Sequence, residues 1–162
     1  MGLMNCKAEI AIVYSSITGN TRELTGMLVE SVQEQGMNVH VFAPEQFCQA
    51  DIGCFDAVLV GTYTWGSGEI PYEMRDVYHH MESVASKHLV TAVFGTGDSF
   101  FAEFCGAVDG FRDMLYAQTD LAAVLKVELM PQEKDLTRCE KFVEAVGSRL
   151  VESEEKRKSK AT

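Results

Sequence analysis

The stretch A-E-I-A-I-V-Y-S-S-I-T-G-N-T, residues 8–21, joins an apolar run to a loop rich in hydroxyls. Residues 8–14 alternate little in polarity, as a strand buried on both faces of a parallel sheet does. From Gly19 to about Gln35 the apolar positions Leu24, Met27, Leu28 and Val32 recur at helical spacing, and Gly36 ends that helix. Ser15–Thr21 is therefore a strand-to-helix loop. A helix N-terminus exposes unpaired N–H groups and a partial positive charge, so anions settle there. Ser16, Thr18 and Thr21 each carry a hydroxyl donor, and Gly19 lets the backbone come close. Such a loop can hold a phosphate without lysine or arginine. It is neither a G-x-x-x-x-G-K-[ST] loop nor a G-x-G-x-x-G turn. Ser, Thr and Asn are also the residues that cap helices, so the loop alone leaves both readings open.

Working outward, four more apolar runs read as strands, at 38–43, 56–62, 89–96 and 121–129. Helical patterns fill 71–85, 103–118 and 132–152, with Pro71 and Pro131 placed where a first turn tolerates proline. Residues 45–54 read as a short, irregular helix. Strands alternating with helices predict a three-layer α/β/α domain: a five-stranded, doubly wound parallel sheet with helices on both faces. One domain is expected over 1–152, followed by a charged, disordered tail at 153–162.

Composition bounds the function. The chain has 162 residues, 46% apolar and 23% charged, as an ordinary globular domain does. No apolar stretch approaches the ~18 residues of a membrane span. Met1 to Lys7 has no signal-peptide core, and Cys6 stands where a myristoylation motif wants Ser or Thr, so a cytoplasmic location is expected. Cys6, Cys48, Cys54, Cys105 and Cys139 are scattered and form no zinc pattern, so no metal is expected. Formal net charge is −10, and the basic end from Glu152 leaves −11 on the residues before it. That argues against nucleic acid and anionic membranes as partners. It suits a basic protein partner, and equally suits mere solubility.

In a doubly wound sheet, ligands sit beyond the carboxyl ends of the strands. Three loops of unusual composition fall there: S-S-I-T-G-N-T, then T-Y-T-W-G-S-G-E at 62–69, then G-T-G-D-S-F-F at 95–101. The second holds the single tryptophan, Trp65, with Gly66 and Gly68 flanking Ser67. The third holds Phe100 and Phe101. Aromatics on two rim loops can sandwich a flat ring, although each alone also reads as a core or partner contact. A hydroxyl-lined cradle plus an aromatic sandwich describes a flat, phosphorylated cofactor.

At this point the chain resembles the flavodoxin family. The resemblance rests on S-I-T-G-N-T at 16–21, G-T-Y-T-W-G at 61–66 and F-G-T-G-D-S at 94–99, followed by E-F-C-G-A-V-D at 103–109. The chain lacks room for the segment that divides the fifth strand of long-chain members, so it resembles the short-chain type. Strand order 2-1-3-4-5, with FMN at the switch point, is a known property of flavodoxins themselves and not a reading of these residues. The resemblance implies that Ser16, Ile17, Thr18, Gly19, Asn20 and Thr21 bind the FMN phosphate. Thr64 would hold the ribityl chain, Trp65 the inner ring face and Phe101 the outer. Backbone around Gly97, Asp98, Glu103 and Cys105 would meet the pyrimidine edge. The Gly66–Ser67 peptide would turn its carbonyl to the proton on flavin N5. Two departures stand out: Phe101 replaces the usual Tyr, and Ser67 replaces an acid found in several members.

The implied function is a low-potential one-electron carrier cycling FMN through oxidised, semiquinone and hydroquinone states. It would shuttle electrons between redox proteins with basic docking surfaces, as a monomer and without a substrate of its own. The alternative is an FMN-dependent NAD(P)H quinone or nitro reductase of the same fold, for which no nicotinamide signal is visible. A response-regulator-like signalling module is disfavoured, because the first and third strands end in Y-S-S and G-T-Y-T, with no acids.

Overall fold

A computed structural model describes residues 7–84, 86–101 and 103–161. Cys6 and the residues read above for export and lipidation signals, except Lys7, lie outside them. The strands are β1 (Glu9–Tyr14), β2 (Asn38–Phe42), β3 (Ala57–Tyr63), β4 (Val90–Gly97) and β5 (Asp120–Glu128). All pair in parallel, in the order β2-β1-β3-β4-β5. The helices are α1 (Asn20–Glu34), α2 (Pro44–Gln49), α3 (Tyr72–Val84), α4 (Gly106–Gln118) and α5 (Leu136–Ala161). The three-layer, doubly wound fold is as the alternating pattern predicts.

Alternation within the central strands divides the core in two. Ile10, Ile12, Leu59 and Phe94 point to one face, against Leu24 and Leu28 of α1 and Phe142 and Val146 of α5. Ala11, Val13, Val58, Val60 and Val93 point to the other, against Met74 and Val77 of α3 and Phe111 of α4. Both faces are covered, which is why β1, β3 and β4 read as continuous apolar runs. β2, at one edge, is largely exposed. β5, at the other, carries a register shift opposite Thr91/Ala92 and is otherwise unbroken.

The observed elements depart from the expected ones in four places, one being that a 3-10 turn at Glu133–Asp135 precedes α5, which starts at Leu136 where the pattern predicts a helix from 132. Residues 45–54 split into α2 and a 3-10 turn at Ile52–Cys54, where the Asp51 carboxylate accepts from Gly53 N–H at 2.9 Å. α4 starts three residues late because Cys105 adopts a left-handed conformation, φ 53°. The expected irregular tail at 153–162 instead continues α5 as helix through Ala161. Glu, Lys and Arg are good helix formers, and Lys158 pairs with Glu154 one turn back at 3.5 Å.

Candidate functional site

The three loops leave the carboxyl ends of β1, β3 and β4, which are neighbours in the sheet. The first turns into α1 through Gly19, whose φ of 95° is left-handed and whose open side a Cβ would meet nothing within 4 Å. Ser16 Oγ accepts from Gly19 N–H at 3.2 Å and from Arg22 N–H at 3.3 Å, so this hydroxyl caps the helix from three residues before Gly19. Among the described residues, the N–H groups of Ile17, Thr18, Asn20 and Thr21 find no partner. Ile17 and Thr18 are exposed, and Asn20 is half-buried. Thr21 is different: it is buried, with its hydroxyl 2.7 Å from that of Thr96 on β4. It thus ties the first loop to the third.

The second loop is a tight hairpin. Trp65 and Glu69 exchange backbone hydrogen bonds of 2.9 and 2.7 Å around Gly66, Ser67 and Gly68. Gly66 and Gly68 both have positive φ, 53° and 100°. The Glu69 carboxyl carbon lies 3.8 Å from where a Gly66 Cβ would be, so a carboxylate flanks the Gly66–Ser67 peptide even though residue 67 is neutral. Just before the hairpin, Thr64 Oγ1 accepts from Ala107 N–H at 3.2 Å, at the start of α4. Gly68 and Gly106 meet so closely that a Cβ on Gly106 would come within 2.6 Å of Gly68 Cα. The approach depends on glycine at 106, while at 68 a Cβ would instead come within 2.7 Å of Glu103 Cβ.

In the third loop the Asp98 carboxylate accepts from Phe100 N–H at 2.9 Å, and the Asp98 carbonyl accepts from Phe101 N–H at 3.1 Å. Gly97 packs against Cys105, and the Glu103 carbonyl accepts from Gly106 N–H at 3.1 Å. Cys105 is buried, which pushes its thiol up to about 12, so it stays a neutral thiol. Ser99 donates to Glu128 at the end of β5. Thr96 and Glu69 both lie within the quoted loops, but their residue types alone gave neither of them a role.

Trp65 is 57% exposed and Phe101 59%. Phe100 is still more open, and its ring stands edge to face with that of Phe101. Leaving half of such a ring in water forgoes about 1–2 kcal/mol of burial. Partnerless amides at a helix start, an open left-handed glycine and two half-exposed aromatics on adjoining loops fit a ligand with an anionic end and a flat apolar end. A cavity of about 830 Å³ lies elsewhere, at the amino ends of β1 and β4 beside α5, and contains none of these features. Among the described residues there is no group of three or more metal-ligating side chains, and no helix is long and apolar enough to cross a membrane.

The family model described as Flavodoxin matches residues 12–142. The chain belongs to the flavodoxin family. It is 35% identical over 140 residues to "Probable flavodoxin 1" of Bacillus subtilis, covering 83% of this chain and 87% of that one. It is 37% identical over 109 residues to a flavodoxin of Maridesulfovibrio salexigens, covering 64% and 73%. Among solved structures, oxidised Flavodoxin 2 of Bacillus cereus superposes with a TM-score of 0.81 at 32% identity, over 88% of this chain and 99% of that one. The flavodoxin of Streptococcus pneumoniae superposes at 0.78, also with 32% identity and 88% and 99% coverage. The unbroken β5 is that of the short-chain type. Family and fold support an electron-carrier role in a group of proteins known to bind flavin.

Proposed function

We propose that the chain binds FMN at the rim of β1, β3 and β4 and carries electrons one at a time, at low potential, between redox partner proteins. The observation that carries this reading is the pairing of orphaned amides at the α1 start with the half-exposed rings of Trp65 and Phe101. When bound, FMN supplies the redox chemistry, taking up and releasing electrons at its ring. The chain's own residues do the rest. Ile17, Thr18, Asn20 and Thr21 offer N–H groups, and Thr18 a free-standing hydroxyl, to a phosphate that needs no cationic partner. Trp65 and Phe101 present faces that exclude water from a flat ring. The Gly66 carbonyl, in a hairpin with two positive-φ glycines, is available as an acceptor for a ring N–H.

Charge then tunes the site. Glu69 beside Gly66, with Asp98, Glu103 and Glu128 on adjoining segments, surrounds the rim with carboxylates. Negative surroundings disfavour added negative charge on the ring, as they disfavour ionisation of an acid, and so make the second electron harder to add. The same carboxylates suit a partner with a basic docking face. Stepwise anaerobic reduction followed by visible spectroscopy tests the reading, together with identification of the flavin released on denaturation. FMN at one per chain, reduced in two separate steps, is the expected result. Stoichiometric FAD, or rapid NADPH oxidation without an added reductase, overturns it.

A further inference from the structure

One carboxylate below the rim touches two of the three loops. Glu73, in the first turn of α3, accepts a hydrogen bond from Ser15 Oγ at 2.7 Å and from Tyr63 OH at 2.6 Å, both on the same oxygen, Oε1. Ser15 is 8% exposed and immediately precedes Ser16, whose hydroxyl holds Gly19 and Arg22 N–H. Tyr63 is the last residue of β3 and is followed directly by Thr64 and Trp65. A continuous path therefore runs from the cradle through Ser16 and Ser15 to Glu73, and from Glu73 through Tyr63 to the tryptophan hairpin. None of Ser15, Tyr63 or Glu73 was implied as a ligand.

The carboxylate is built to stay ionised. Burial by itself raises its pKa, but the hydrogen bonds from Tyr63, Ser15 and its own backbone outweigh that and hold Glu73 below the usual carboxylate range. Burial, followed by the bond to Glu73 and its charge, pushes Tyr63 well above the ordinary phenol value, so it remains a donor. Hydroxyl bonds to an ionised oxygen at these lengths are of the strong, charge-assisted kind.

We propose that Glu73 is a positioning residue that couples the phosphate loop to the tryptophan hairpin, so that filling the cradle at the α1 start sets the orientation of Trp65. The proposal rests on the FMN reading for its purpose, but its test needs no flavin. Trp65 is the only tryptophan, so its emission reports on the hairpin alone. The full chain, stripped of flavin, is titrated with inorganic phosphate. Emission is followed alongside calorimetric occupancy, and near-ultraviolet dichroism checks that each variant is folded.

In the wild type, emission changes and saturates with phosphate occupancy. In Ser15→Ala and in Tyr63→Phe the change at equal occupancy is at least about threefold smaller, because one of two charge-assisted bonds in series is gone. The double variant is no worse than either single one, since both act through one oxygen. Glu73→Gln, which keeps an oxygen acceptor without the charge, falls between. An unchanged response in the variants at equal occupancy makes the three residues structural only and overturns the link, as does a wild type whose emission ignores phosphate. The FMN reading stands or falls separately, on the flavin that the purified protein releases.

Discussion

At the amino end of the sheet, a cavity of about 830 Å³ opens between the starts of β1 and β4 and the later turns of α5, lined by Ala8, Met37, Val90 and Leu150 among others. At the carboxyl end the described residues form an open rim. There the N–H groups of Ile17, Thr18, Asn20 and Thr21 lack partners among the described residues, and Trp65 and Phe101 stand more than half exposed. Empty volume alone does not mark a site, because a surface hollow lined by satisfied groups gains little when filled. Unpaired N–H groups and bare rings do mark one: each leaves free energy ungained until something covers it. The two ends also differ in tolerance. The rim loops touch backbone to backbone through glycines, whereas Gly147 of α5, at the other end, has only the Met37 methyl 3.8 Å from its Cβ position.

The largest expected effect breaks the rim. Gly106→Ala would drive a methyl to 2.6 Å from Gly68 Cα and 2.8 Å from its carbonyl oxygen, and backbone cannot swing aside as a side chain does. Denaturant unfolding of the flavin-free protein should show a loss of about 3 kcal/mol, at the upper end for overpacking, together with loss of FMN binding. A change within about 0.5 kcal/mol would mean that the hairpin and α4 do not meet so closely in solution.

Next in size is the cradle. Thr18→Ala should weaken FMN by about 2 kcal/mol, the worth of a hydrogen bond to a charged group, and leave riboflavin nearly unchanged. Thr21→Ala should weaken both flavins alike, because the Thr21 hydroxyl is buried against Thr96 and its loss disturbs the loop itself. Equal losses of FMN and riboflavin in Thr18→Ala would reduce the first loop to a helix cap. Titration of flavin fluorescence measures all four affinities.

A smaller effect sharpens the electrostatic side of the rim. Ser67→Asp should make the second one-electron step harder by about 1 kcal/mol, a figure held down by solvent screening and by the Glu69 carboxylate already present. The first step should move less. Redox titration at fixed pH and salt compares the two; an opposite shift in the second step would place residue 67 away from the flavin. The smallest effect belongs to the amino end. Gly147→Ala, mid-helix and unobstructed, should stabilise the protein by about 0.7 kcal/mol and leave FMN affinity alone. A loss there would show that the amino end is as tightly set as the rim.

The sheet was legible in the sequence because β1, β3 and β4 are buried on both faces, which leaves unbroken apolar runs. The loops stood out because each crowds hydroxyls, glycines or aromatics into a few positions at the end of an apolar run. What the sequence withheld was the choice of partners among polar groups. Ser16, Thr18 and Thr21 look alike as donors. Yet in the fold Ser16 accepts N–H bonds, Thr18 stands free and Thr21 is buried against a residue 75 positions away. Glu73 is an ordinary first-turn acid until Ser15, 58 positions away, is brought beside it. Helix ends set by a single left-handed residue, as at Cys105, leave no periodic trace either.

The length of α5 has a consequence for where charge lies on the molecule. The helix starts beyond the end of β5 and runs back past the starts of the strands, and its last turns carry Lys156, Arg157, Lys158 and Lys160. Those bases share the turns with Glu152, Glu154 and Glu155, and they sit at the far end from the carboxylates of Glu69, Asp98 and Glu103. That end of the helix is therefore nearly neutral, whereas the rim loops carry carboxylates on adjoining segments. Screening confines attraction to such carboxylates to within a Debye length, roughly 8–10 Å at physiological salt, so a basic body feels them only once it is already close.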